Sequence, residues 1–117
     1  KGWSENGKIN EVVYDVICSD DREINNRNNK CKETKASVNF ENCSFDENYG
    51  SDRLEVIWTD TEYTPDQNTF YYARAIENPT CRWSTYDSIR IDEKPAKNYP
   101  KITREMAWSS PIWIKNK

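Results

Sequence analysis

The chain reads as a mainly β domain: an antiparallel β-sandwich or open sheet with long polar loops, tied by disulfides. Three observations carry that expectation. Six or seven short runs alternate apolar and polar residues, with no sustained helical period between them. Turn-forming residues punctuate these runs, among them Asn6-Gly7 and Asn78-Pro79. Four cysteines, Cys18, Cys31, Cys43 and Cys81, stand without CxxC spacing in a chain that has no histidine. A zinc site would then need four scattered thiolates, so disulfides are the better reading over metal and over free buried thiols.

Length and composition set the frame. The 117 residues suit one domain, 1–117. Apolar content of 35% and a mean hydropathy of −1.08 hint at disorder. Five Trp and seven Tyr oppose the hint, because each buries a large area and can replace missing aliphatics. A net charge of −3 with both signs interspersed offers no basic stripe for nucleic acid. No run approaches the length of a membrane span. Disulfides point to an oxidising compartment, extracellular or periplasmic. The lack of an initiator Met and of a signal peptide suggests a mature or excised piece.

The organising stretch is Thr69 to Asp87. Phe70, Tyr72 and Ile76 face one way, Tyr71, Ala73 and Ala75 the other, as in a central strand covered on both sides. Asn78-Pro79 stops it, since proline brings no N–H to a ladder. It then delivers Cys81, Arg82, Trp83, Tyr86 and Asp87 into a compact turn. Before it, Lys1-Gly2-Trp3 ends a strand, and Asn6-Gly7 makes a hairpin turn because both residues tolerate φ > 0. Ile9 to Cys18 is the first long strand. Ser19 to Lys35, rich in Asn, is the least structured segment, with only Cys31 placed to pin it. A calcium loop from Asp20, Asp21 and Glu23 does not fit, for want of spacing and glycine.

Ala36 to Glu41 alternates as a half-buried strand. Leu54, Val56 and Trp58 alternate with Glu55, Ile57 and Thr59, giving a strand expected beside the central one. Ile89 to Ile91 suits a short edge strand. Asp92 to Pro100, with Pro95 inside it, reads as a surface loop. Ile112 to Ile114 forms a last strand before the charged end Lys115-Asn116-Lys117. For the cysteines, Cys31–Cys43 across a short excursion and Cys18–Cys81 are the preferred pairs. Asn42-Cys43-Ser44 fits the N-glycosylation pattern.

The chemistry is sparse. Without histidine no nucleophile–base pair can form near neutral pH, so no catalytic residue and no cofactor is expected in this chain. Asp60 and Glu62 read as solvated surface rather than a glycosidase pair. Arg82 offers a planar fork, Trp83 and Tyr86 stacking faces, and Asp87 an acceptor, which together suit the wall of a substrate pocket or a buried structural corner. Trp3, Trp108 and Trp113 are candidates for stacking on carbohydrate. An unpaired sheet edge would let another chain add a strand.

Several motifs carry a family resemblance: the opening KGW and its turn, the strand Val13 to Val16, then Val56 to Asp60, Phe70 to Asp87 and Arg104 to Trp113. In order and spacing they resemble the C-terminal region of the domain-of-unknown-function 3604 family. The resemblance implies the closing portion of a longer protein whose other parts are PHP-like, metal-dependent hydrolases with a site of His, Asp and Glu. None of that site falls on this chain. The implied partner is the remainder of a larger parent chain or another subunit. Cys81 stands where the family pattern usually has proline, and the Asn-rich segment around Cys31 looks inserted; both fit added disulfides.

Overall fold

The computed structural model of the chain describes residues 1–94 and 97–115. Strand β1 (Gly2–Glu5) turns through Asn6 and Gly7 into β2 (Lys8–Glu11), with Glu5 opposite Lys8. Both turn residues have positive φ, 51° and 74°, so the two-residue turn takes the primed form whose twist matches its strands. The ladder continues to Lys1 opposite Val12 and ends there. Val13 to Cys18 runs on without a ladder, so the expected long strand is corrected to four residues.

Two further hairpin-like elements lie in the polar half. Strands β3 (Ile24–Asn25) and β4 (Lys30–Cys31) pair antiparallel. The Asn-rich stretch is therefore ordered, contrary to expectation. Its asparagines build the turn, with the Asn25 and Asn28 side chains accepting from the N–H groups of Arg27 and Lys30, and Asn29 at φ 54°. The strand expected at 36–41 reduces to one bridge between Val38 and Phe45, because Cys43, at φ 58°, folds the chain back on Asn39.

Only the first part of the organising stretch keeps the expected central place; residues 74–76 are exposed and pair on one side alone, so the doubly covered strand is corrected there. Strand β5 (Thr69–Tyr71) lies inside a four-stranded sheet, between β1 and the last strand, β10. Beyond it β6 (Arg74–Ile76) and β7 (Thr80–Cys81) continue the same antiparallel course against β8 (Ile102–Thr103), β9 (Met106–Trp108) and β10 (Ile112–Ile114). The result is one long ribbon broken by two bulges, each at a proline. Tyr71 faces Ile112 and Arg74 faces Trp108, so Tyr72 and Ala73 span the same step as Ser109, Ser110 and Pro111. Ile76 faces Met106 and Thr80 faces Thr103, so Glu77, Asn78 and Pro79 oppose only Arg104 and Glu105. Proline cannot donate to a ladder and is tolerated where a residue is left unpaired. The second bulge reverses the register shift of the first.

The expected turn after Cys81 is a helix, α1 (Trp83–Arg90). It buries Thr85 and Ser88 against the ribbon's end, where the Thr85 hydroxyl donates to the Lys101 carbonyl at 2.7 Å. Asp92, at φ 55°, closes it in a Schellman arrangement, with Glu93 N–H on Ser88 O and Asp92 N–H on Ile89 O. The edge strand expected at 89–91 is thus the end of the helix, Ile89 and Arg90, with Ile91 as its C-cap. Pro95, Asn116 and Lys117 lie outside the described residues.

The disulfides are Cys18–Cys31 and Cys43–Cys81, which corrects the preferred pairing. Hairpin β3–β4 brings Cys31 back beside Cys18, and the fold at Asn39–Cys43 points its cysteine at the helix entrance. The mainly β class stands, with strands meeting along ladders of small sheets. Among the described residues Cys43, Cys81 and Pro79 are the buried apolar side chains; every large aliphatic and aromatic side chain keeps some exposure. The chain is elongated, 61 × 32 × 25 Å, with a radius of gyration of 18.7 Å. A compact chain of this length would have about 13 Å.

Candidate functional site

A connected polar cluster sits where the hairpin meets the loop before β5. Lys1 Nζ lies 2.7 Å from Asp60 Oδ2, with both side chains largely buried. The Tyr71 hydroxyl donates to the same carboxylate at 2.6 Å, and Glu62 N–H donates at 2.9 Å. Tyr14 donates to Glu62 at 3.0 Å and its ring lies 5.4 Å from that of Trp58, which in turn meets Tyr71 edge-on at 6.3 Å. A shallow cleft of about 250 Å³ opens between Tyr14, Asn29, Trp58 and Glu62.

Electrostatics follow the geometry. Burial by itself would push the Asp60 carboxyl up, but the hydrogen bonds from Lys1, Tyr71 and Glu62 outweigh it and hold the group below the usual carboxylate range. Burial and the bond to Asp60 raise Tyr71 well above the usual phenol range. Tyr14 rises for the same reasons, with Glu62 as its partner. The sequence marked Asp60 and Glu62 as solvated acids; the structure makes Asp60 a clamp. A lysine and a carboxylate 59 positions apart leave no local pattern by which to foresee this.

Arg82, Trp83, Tyr86 and Asp87 do come together, at the start of α1. Trp83, Tyr86 and Asp87 share its outer face at helical spacing, and Trp83 is 71% exposed. Asp87 approaches Arg90 at 3.8 Å rather than Arg82. Arg82 contributes backbone bonds, its N–H to Lys101 O and its carbonyl to Thr85 and Tyr86 N–H. The Tyr86 hydroxyl donates to the Cys43 carbonyl at 3.4 Å.

Trp3, Trp108 and Trp113 do not converge. Trp3 stands opposite Thr69 and takes the Lys1 ammonium 5.4 Å from its ring. Trp113 packs on Phe70 at 5.0 Å, on the adjoining row of the sheet, and Trp108 lies across the bulge, opposite Arg74. Asn42 is exposed, its side chain accepting from Ser44 N–H, with Cys43 of the same triplet locked in a disulfide. Among the described residues no three His, Cys, Asp or Glu side chains are placed to hold a metal, and no helix is long and apolar enough to cross a membrane.

A feature with no chemistry of its own is more telling. Leu54 to Thr59 is fully β-patterned, yet forms no ladder, because both sides of β5 are taken by β1 and β10. The expected pairing of this segment with the central strand is corrected accordingly. Ile57 is 97% exposed.

Ladders of small sheets, joined by two disulfides and a largely buried ion pair, define a disulfide-tied, mainly β module. The model of the family described as protein of unknown function (DUF3604) matches residues 1–116, and the chain belongs to that family. Among curated proteins nothing matches the chain, and among solved structures nothing does.

Proposed function

We propose that this chain is a non-catalytic structural portion of a larger protein, covering and stabilising a catalytic body that resembles PHP-like metal-dependent hydrolases. One observation carries the reading. The chain exposes 9857 Å², whereas a compact protein of 13.9 kDa exposes about 6,700 Å². Large apolar side chains from Leu54 to Trp58 and from Met106 to Ile114 make up much of the exposed apolar surface. A module left in that state would aggregate, so a covering body accounts for the pattern. The reading assigns no catalytic group and no cofactor to the chain. The outer face of α1, with Trp83, Tyr86 and Asp87 beside Arg82, is its candidate for lining the body's pocket. Two disulfides support an extracellular or periplasmic setting.

Intact mass of the native product, before and after reduction, tests this. The expected result is a product heavier than 13.9 kDa or a stable complex. A free monomer of 13.9 kDa with cooperative unfolding overturns it. The exposure of Trp83, Trp108 and Trp113 favours a second reading, an extracellular binding or assembly module whose rings stack on carbohydrate. Saturable tryptophan fluorescence changes with a glycan would favour that reading, and a flat response across a glycan panel removes it.

A further inference from the structure

We propose that residues 54–59 are a docking strand, to which an edge strand of the covered body's β-sheet hydrogen-bonds. The inference rests on the proposed function and adds the surface and the mode of contact. Leu54, Val56 and Trp58 alternate with Glu55, Ile57 and Thr59. Among the described residues, no backbone N–H or C=O of this run has a protein hydrogen-bond partner. Solvent can serve those groups, but it does not suit the side chains: Ile57 is 97% exposed, Leu54 49% and Val56 46%.

The chemistry selects the occupant. Covering these side chains removes water from the backbone between them, and a buried amide without a partner costs about 1–3 kcal/mol. A helix or a lipid surface would leave those amides unmet, whereas a strand supplies a donor and an acceptor at alternate residues. β-branched Val56 and Ile57, followed by Trp58 and Thr59, suit the pleated surface such pairing creates. A second copy of the chain offers the same kind of strand, so the choice of occupant follows from the proposed function, which sets the chain against a larger body, and self-association is the outcome that overturns it.

The strand is also held ready. Trp58 rests on Tyr14 and Tyr71, and the next residue but one, Asp60, is clamped by Lys1. One end of the run is therefore fixed to the four-stranded sheet, which reduces the ordering cost of binding.

Hydrogen–deuterium exchange tests this, comparing the 117-residue chain with the product of the complete reading frame that encodes it. Amides of 54–59 are expected to exchange at least tenfold more slowly in the complete product. Ile57→Asp should abolish that protection there while leaving the denaturation midpoint of the isolated chain unchanged. Equal, fast exchange of 54–59 in both, with protection gained at 112–114 instead, overturns the docking strand and leaves the proposed function standing. A complete product that is a 13.9 kDa monomer with no protected surface overturns both. Protection of 54–59 through self-association of the isolated chain overturns the choice of occupant.

Discussion

Asp60 holds Lys1 at 2.7 Å, with side chains 10% and 5% exposed, and this pair fastens the loop before β5 to the first strand of the hairpin. Removing one member leaves the other charge buried and unpaired, which costs about 3–5 kcal/mol. Lys1→Met and Asp60→Asn should each lower the urea midpoint strongly. The double variant should lose less than the sum of the two, because neither charge is then left alone.

The same clamp gives a pH dependence. Asp60 titrates below its unfolded value, so its contribution to stability is complete above the ordinary carboxylate range, near 3.8. It is lost as pH falls through the depressed folded value. Urea midpoints of the wild type should therefore drop on acidification below that range. The Asp60→Asn chain should lack this component, and parallel acid curves would contradict the assignment.

How much of this was legible in advance depended on the range of the interaction involved. The Asn6-Gly7 hairpin, the central place of Thr69–Tyr71 and the strand at Ile112–Ile114 are each written in a few adjacent residues, and the structure keeps them. The helix was missed because its buried face is Thr85 and Ser88, small polar residues satisfied by carbonyls, so no apolar stripe marks it. The run at 54–59 carries a strand's alternation, but the structure forms no strand there, and the expected pairing with β5 is lost with it. Periodicity reports which faces want covering, not what covers them. The disulfide pairs failed for a related reason: spacing does not reveal that β3–β4 returns Cys31 to Cys18.

The two disulfides should differ in weight. In the chain-entropy view, closing the 38-residue separation of Cys43–Cys81 contributes about 4 kcal/mol, and the 13-residue separation of Cys18–Cys31 about 3 kcal/mol. Cys43 and Cys81 are also the buried apolar pair, 3% and 5% exposed, so replacing both with serine removes packing as well. Thermal unfolding of the two double-serine chains should show the larger loss for Cys43/Cys81. The reverse order would mean that the helix does not depend on this bond.

At Gly2 the lack of a side chain is a packing requirement. Gly2, Phe70 and Trp113 form one row across the sheet. The Phe70 ring lies over Gly2, so a Cβ added there would fall within the ring. That ring cannot swing aside freely, being stacked parallel to Tyr72 at 6.4 Å and packed on Trp113 at 5.0 Å. Overpacking of this kind costs about 1–3 kcal/mol. Gly2→Ala should therefore destabilise the chain by that amount, and Phe70→Leu added to it should restore part of the loss by opening space over residue 2. Gly7→Ala is the contrasting case: nothing lies within 4 Å of its added carbon, and its φ of 74° alone makes the substitution unfavourable. Its cost should be about 1 kcal/mol, unaffected by Phe70→Leu. Rescue confined to Gly2→Ala in a denaturation cycle would locate the effect in the ring contact; equal response of both glycines would place it in the backbone.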